Sequence, residues 1–145
     1  MDVAALTDAA LKRQRSTSFA ALSDLDQLLV TIWGLEADIN NGGFDQYYFN
    51  SYGDQAALAP AMLRMIGAET MASLVERANA AFGPQGPSQH RETREEQLEK
   101  ISELAEPLWS QLEAQFWTYP DNLDDLIRNY LETRSNNSLE RTREG

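Results

Sequence analysis

The sequence has no cysteine, a single histidine and no long uninterrupted apolar run. Without cysteine, disulfide bonds and thiolate metal ligands are excluded. His90 has no second histidine with which to hold zinc, and no serine has a plausible histidine and acid partner for nucleophilic catalysis. No segment approaches the ~18 apolar residues that would span a membrane. We therefore expect a cytoplasmic, non-enzymatic protein without metal or cofactor.

Basic residues are also scarce. Twelve Lys and Arg stand against 23 Asp and Glu, which gives a formal net charge of −11. A field of that sign repels nucleic acid and acidic membranes and attracts basic proteins. The acids are concentrated, since residues 92–126 contain ten acids and two bases. The alternative interpretation is that the acids serve only solubility.

Apolar residues recur with a period close to 3.6, and no segment alternates as a strand would. This pattern predicts an all-α fold: a single compact domain of six or seven helices, without a sheet, over residues 1–134. The segment GPQGPSQH predicts a flexible connection at 83–90. Residues 135–145 form a polar tail that we expect to be disordered. Asp2, Ser23 and Asp121 are the predicted N-caps of the first, second and last helices.

A row of glutamates lies in the long helix predicted after the connection. On a helical wheel, all seven glutamates of residues 92–113 fall within an arc of about 100°. The opposite side carries apolar residues that are predicted to face inward, Leu98, Leu104 and Trp109 among them. Successive carboxylates are about 4.5–6 Å apart along the axis. That spacing is of the same order as the spacing of phosphates on a nucleic-acid strand.

The stretch NGGFDQYYFNSYGD, residues 41–54, begins with a pair of adjacent glycines, which five closely spaced aromatic residues follow. We interpret it as a tight corner between helices. In this interpretation the glycines form the turn and the aromatic residues enter the core. Amide side chains of the stretch would bond exposed helix ends. The alternative is a binding surface, which would require Tyr47 and Tyr52 to be exposed.

The same stretch, together with Ile66-Gly67-Ala68 and Phe82-Gly83, resembles the signature of a bacterial all-helical family. The family was first catalogued as a domain of unknown function and includes a Neisseria DNA-mimic protein. The resemblance implies an all-α fold, no cofactor, possible homodimerisation and a negatively charged surface that occupies the DNA-binding face of a regulator. The residues that carry the main motif are Asn41, Gly42, Gly43, Phe44, Gln46, Tyr48, Asn50, Gly53 and Asp54.

The leading functional hypothesis is therefore a DNA mimic that competes with DNA for a basic DNA-binding protein, such as a transcription factor, without itself binding nucleic acid or membrane. The alternative hypothesis is a plain protein–protein interaction or dimerisation module that uses the aromatic segment. The predicted partner-binding acids are Glu92, Glu95, Glu96, Glu99, Glu103 and Glu106, widened by Asp24, Asp38, Asp45 and Asp54.

Overall fold

Helix is the only regular secondary structure in residues 2–144, the part of the chain whose backbone the computed structural model describes; side chains are described for residues 2–137. The predicted all-α, single-domain fold is confirmed. The α-helices are α1 Val3–Ser16, α2 Asp24–Phe49, α3 Ala59–Met65, α4 Glu69–Asn79, α5 Arg91–Phe116 and α6 Leu123–Glu144. Short 3₁₀ turns lie at Phe19–Ala21, Ser51–Gln55 and Ala80–Phe82.

Short polar side chains cap the first two helices as the sequence predicts. Asp2 accepts a hydrogen bond from the backbone N–H of Ala5 (3.0 Å), and Ser23 accepts one from Asp26 (3.1 Å). Such bonds satisfy N–H groups that have no partner inside the helix.

The predicted cap of α6 is wrong. Asn122 caps this helix through the N–H of Asp125 (3.2 Å). Asp121 instead accepts from the backbone N–H of Met71 (2.7 Å), close to the start of α4. A carboxylate is favourable at any helix N-terminus, so sequence adjacency alone could not distinguish these two helices.

Helix α2 is bent sharply at Gly43. Its φ of 80° and ψ of −169° lie in a region that is essentially restricted to glycine, and the chain resumes helical geometry at Phe44. The carboxylate of Glu113, on α5, accepts from the backbone N–H of Phe44 (2.8 Å) and so caps the second half of α2. The predicted corner is therefore present, and a distant glutamate completes it.

The core forms around α2, which packs against α1, α3 and α5. Its buried apolar side chains extend from Leu28 to Ile39 before the bend and include Phe44 and Tyr48 after it. Tyr48 lies among aromatic rings, with its centroid 4.6 Å from Phe82 and 5.1 Å from Trp109. Leu104 differs from its predicted inward position: 86% of its surface is exposed.

The sequence predicts two segments without regular structure, residues 83–90 and residues 135–145. Residues 83–90 contain turns and bends between α4 and α5, with Pro87 buried. Helix α6 continues to Glu144, through most of the segment predicted as a tail, and the side chains of residues 135–137 are exposed. The disorder of residues 135–145 in solution stays a prediction.

Replacing Gly43 by alanine should destabilise the protein by about 2–4 kcal/mol. The backbone conformation alone costs about 1–3 kcal/mol for a residue with a Cβ. The new Cβ would also collide with the Glu113 carboxylate and disturb the cap that it provides. Urea unfolding measures the loss.

Gly83→Ala is the matched control, because Gly83 has nearly the same backbone angles (φ 91°, ψ −172°) and no atom within 4 Å of the point where a Cβ would lie. For this variant the free energy of unfolding should fall only by the cost of placing a residue with a Cβ in this backbone conformation. Equal losses for the two variants would contradict a structural role for the Glu113 contact.

Candidate functional site

The long helix α5 separates an apolar side from an acidic side. Leu98, Trp109, Leu112 and Phe116 are buried against the rest of the protein. That packing fixes the rotation of the helix about its axis, so the glutamates on the opposite side face outward. The exposed members of the predicted set on this helix are Glu92, Glu96, Glu99, Glu103 and Glu106.

These five exposed glutamates, which we call the acidic row, have no ion-pair partner among the described side chains. Glu95 is different: it is half-buried, and one carboxylate oxygen lies 3.4 Å from Nε of Arg91. Arg94 points into the protein and does not pair with the row. From Glu92 to Glu106 the row extends about 21 Å along the helix axis.

One further predicted acid adjoins the row. Asp45 is exposed and lines a surface groove of about 470 Å³ together with Glu103, Glu106 and Glu113. Glu113 is committed to capping Phe44, whereas the other three carboxylates face solvent. The described side chains contain no group of acids or histidines arranged to hold a metal ion. The groove therefore extends the acidic surface beyond α5 to Asp45.

The remaining three predicted acids lie elsewhere. Asp38 is buried, and its Oδ1 accepts from the side-chain amides of Gln46 (3.2 Å) and Asn50 (3.1 Å), so it is not accessible to a partner. Asp54 is partly exposed, but its Oδ1 lies 2.9 Å from Nη1 of Arg94. Asp24 is exposed in the first turn of α2, where an acid suits the helix dipole. The sequence could not separate these positions, because only packing decides them.

The motif residues are mostly internal. Phe44, Tyr47 and Tyr48 are completely buried, and the Tyr48 hydroxyl donates to Asn79 (2.6 Å).

The amide side chains of the motif are hydrogen-bonded to one another. Gln46 accepts from the side chain of Asn41 (3.1 Å). Together with the two bonds to Asp38, this makes a chain of side-chain hydrogen bonds. The amide side chains thus bond one another and Asp38, rather than the exposed helix ends that we expected.

Gly42 and Gly53 leave space for side chains that the motif requires. A Cβ on Gly42 would collide with the side-chain amide of Gln46. A Cβ on Gly53 would lie 2.5 Å from the carbonyl oxygen of Tyr47 and 2.9 Å from Nε of Arg94. The glycines of the motif therefore permit close packing as well as the bend at Gly43.

Arg94 is absent from the predicted site residues, yet it is the largest completely buried side chain among those that the structure describes. Its Nε donates to the carbonyl of Tyr48 (2.6 Å). Its Nη1 donates to Ser88 (2.9 Å) and Nη2 to Asn50 (2.9 Å), again at carbonyl oxygens. These three carbonyl oxygens accept hydrogen bonds from the planar, permanently charged group, and the carboxylate of Asp54 lies 2.9 Å from Nη1. Arg94 thus joins the end of α2 to the loop before α5.

Glu36 is a second side chain that sequence reasoning missed. It lies in α2, half-buried, and accepts a hydrogen bond from the hydroxyl of Tyr119 (2.9 Å). Burial raises the pKa of Glu36; the nearby charge of Asp124 raises it further, and the Tyr119 hydroxyl partly offsets the shift. Tyr119 lies 83 residues away and has a φ of 51°, so no local pattern predicts the pair.

Fold and surface together define an all-helical acidic domain with one long outward row of carboxylates. No helix in residues 2–144 is long and apolar enough to cross a membrane. Comparison with protein families gives a match over residues 20–134 to the family described as DMP19-like protein. The match covers most of the chain, so the chain belongs to the DMP19-like family, as the resemblance of its motif predicts. No curated protein and no solved structure matches the chain.

Arg94→Lys should destabilise the protein by at least about 2 kcal/mol. An ammonium group cannot reproduce the planar fork, and it would leave buried carbonyl oxygens without a donor. Arg94→Met removes every donor to the carbonyl oxygens of Tyr48, Ser88 and Asn50 and should lose about 3–5 kcal/mol. Urea unfolding measures both variants. Arg91→Met, an exposed arginine of the same helix turn, should lose less than about 1 kcal/mol; a comparable loss there would contradict the role given to Arg94.

Glu36→Gln should reveal the raised pKa of Glu36 as a dependence of stability on pH. A raised pKa means that the folded protein binds this proton more tightly than the unfolded chain, which favours folding at low pH. The benefit is lost as pH rises through the folded-state pKa. Relative to Glu36→Gln, wild type should therefore become less stable between about pH 4 and pH 7 in urea unfolding.

Glu76→Gln provides a control of opposite sign. The hydrogen bond from Arg64 and its charge lower the pKa of Glu76. Wild type should therefore gain stability relative to this variant as pH rises up to and through the unfolded pKa of 4.5, and lose that gain at lower pH. Slopes of the same sign for the two variants would refute the assignment at Glu36.

Proposed function

We propose that this protein is a non-enzymatic DNA mimic whose acidic row occupies the DNA-binding surface of a basic protein such as a transcription factor. The observation that carries the proposal is the row itself: five exposed glutamates on one rigid helix, without a basic partner among the described side chains. Membership of the DMP19-like family supports the same class of function. The proposed contact residues are Glu92, Glu96, Glu99, Glu103, Glu106 and, at one end, Asp45.

The charge density of the row is compatible with this role. Five carboxylates over about 21 Å amount to roughly one charge per 5 Å. A nucleic-acid strand carries one charge per about 3.4 Å of helix axis. The row is therefore sparser than a DNA strand, but it is held on a helix and loses little conformational freedom on binding. Asp45 adds charge where the row meets the groove.

The other predicted acids are weaker candidates for contact. Glu95 and Asp54 already lie next to arginine side chains, and Asp38 is internal. A partner would gain little from a carboxylate whose charge is already balanced within the protein. We therefore restrict the proposed surface to the exposed carboxylates of α5 and its groove.

The alternative function, a module that binds through the aromatic segment, has less support. Tyr47 is buried and Tyr52 is only partly exposed, so the rings that would form such a contact are largely committed to the core. Phe49 is the large exposed side chain of the segment, and its ring already packs against the guanidinium of Arg91 at 5.4 Å. A homodimer that uses other surfaces is compatible with the proposal.

Neutralising the row should abolish partner binding while leaving the fold intact. The variant replaces Glu92, Glu96, Glu99 and Glu103 by Gln, all of which are exposed. Affinity capture from a cell lysate should recover DNA-binding proteins with wild type and not with the variant. With a captured partner, affinity should fall steeply between about 50 and 500 mM salt, because screening weakens charge complementarity. A flat salt response would contradict the proposal.

A control variant with the same net charge as the row variant distinguishes the effect of where the charges lie from the effect of total charge. Its four substitutions lie outside α5, at exposed acids: Glu69→Gln, Glu76→Gln, Asp125→Asn and Glu132→Gln. It should capture the same partners as wild type. Equal loss of capture in both variants would show that net charge, rather than the acidic row, determines binding.

A further inference from the structure

A cavity of about 380 Å³ opens between α1, α2 and α6, away from the acidic row. No residue of α5 lines it. Its walls are mainly apolar and include Leu29, Ile32, Leu123 and Ile127. Volume and lining are within the ordinary range of small-molecule sites, which are concave, largely apolar and supplied with few polar groups.

Of the three carboxylates that line this cavity, only that of Glu36 is half-buried. It accepts from the Tyr119 hydroxyl, which in turn accepts from the side-chain amide of Asn40 (2.7 Å). These two bonds fix the orientation of the carboxylate without supplying a positive charge. Among the described side chains, no lysine, arginine or histidine lines the cavity or pairs with Glu36.

Two exposed acids at the rim of the cavity, Asp8 and Asp124, are also negatively charged, but each is paired with a basic side chain. Asp8 lies 3.4 Å from Nζ of Lys12, and Asp124 lies 2.8 Å from Nη2 of Arg128, each within one helix turn. Both rim acids are thus already partnered at the surface. Glu36, the deeper carboxylate, is the one that a bound cation would neutralise.

An aromatic wall completes the arrangement. Trp33 lines the cavity with 42% of its surface exposed, and the ring of Tyr119 lies at the same cavity. The face of an indole attracts an organic cation within about 6 Å of the ring centroid. An exposed tryptophan beside a partly buried carboxylate thus favours a ligand that is both apolar and positively charged.

We propose that this cavity binds a small organic cation, an amine carried on an alkyl or aryl body. The ammonium group pairs with Glu36, and the apolar body packs against Trp33 and the aliphatic walls. This site is separate from the acidic row, and the proposal does not depend on the function assigned to that row.

The test compares 4-phenylbutylamine with its neutral counterpart 4-phenylbutanol, by titration into the full-length protein. The NMR resonance of the Trp33 indole N–H reports occupancy. The amine should bind with a dissociation constant of about 1 mM or tighter and at least about fivefold more tightly than the alcohol, because a charge-assisted hydrogen bond is stronger than a neutral one. Equal affinities, or no binding of either probe, would overturn the proposal.

Glu36→Gln isolates the carboxylate, and Glu103→Gln, on the acidic row, is the matched control with the same change of charge. Glutamine retains an acceptor for Tyr119, and circular dichroism verifies the fold. Glu36→Gln should bind the amine and the alcohol with equal affinity. Glu103→Gln should still bind the amine more tightly than the alcohol. A preference that survives Glu36→Gln, or disappears with Glu103→Gln, would assign the selectivity to overall charge and refute the site. The wild-type comparison remains decisive if the first variant does not fold.

Discussion

The buried guanidinium of Arg94 is the interaction on which the rest of this structure depends. A charge in the interior is costly unless it is hydrogen-bonded, and backbone carbonyls from two separate segments accept hydrogen bonds from each of the three guanidinium nitrogens. The consequence is geometric. The end of α2, the loop at Ser88 and the start of α5 can each occupy only the position that satisfies the same planar group. Gly53 is part of this constraint, because a Cβ there would displace the guanidinium.

Helix α5, which contains Arg94, also carries the acidic row. At its other end, Glu113 caps the second half of α2 through Phe44. Two polar contacts therefore fasten α5 to α2 at positions 19 residues apart in the sequence of α5, and apolar side chains fill the interval. A helix held in this way cannot rotate about its axis. The outward direction of the glutamates is thus a result of what the inward side binds.

The sequence predicts fold class, helix caps at Asp2 and Ser23, and the bend at the paired glycines, because each depends on neighbours within a few residues. It predicts the exposure of the acidic row because helical periodicity is local as well. The sequence does not predict the contacts of Asp38, Asp121 or Arg94. Asp121 and Arg94 bond residues of other helices, and Asp38 bonds residues several turns further along the chain. Leu104 shows the limit of periodicity: it lies on the edge of the apolar side, and packing leaves it exposed.

The motif residues and the acidic row of this chain have separate roles. The motif residues bend α2, fill the aromatic core and satisfy Arg94, so a match to the motif reports the fold. The glutamates of the acidic row make none of these contacts, and they have no ion-pair partner among the described side chains of residues 2–137. Fold and surface charge can therefore change independently. In this chain the motif therefore accounts for the fold, and under the proposed function the choice of partner depends on residues outside the motif, namely the outward carboxylates of α5.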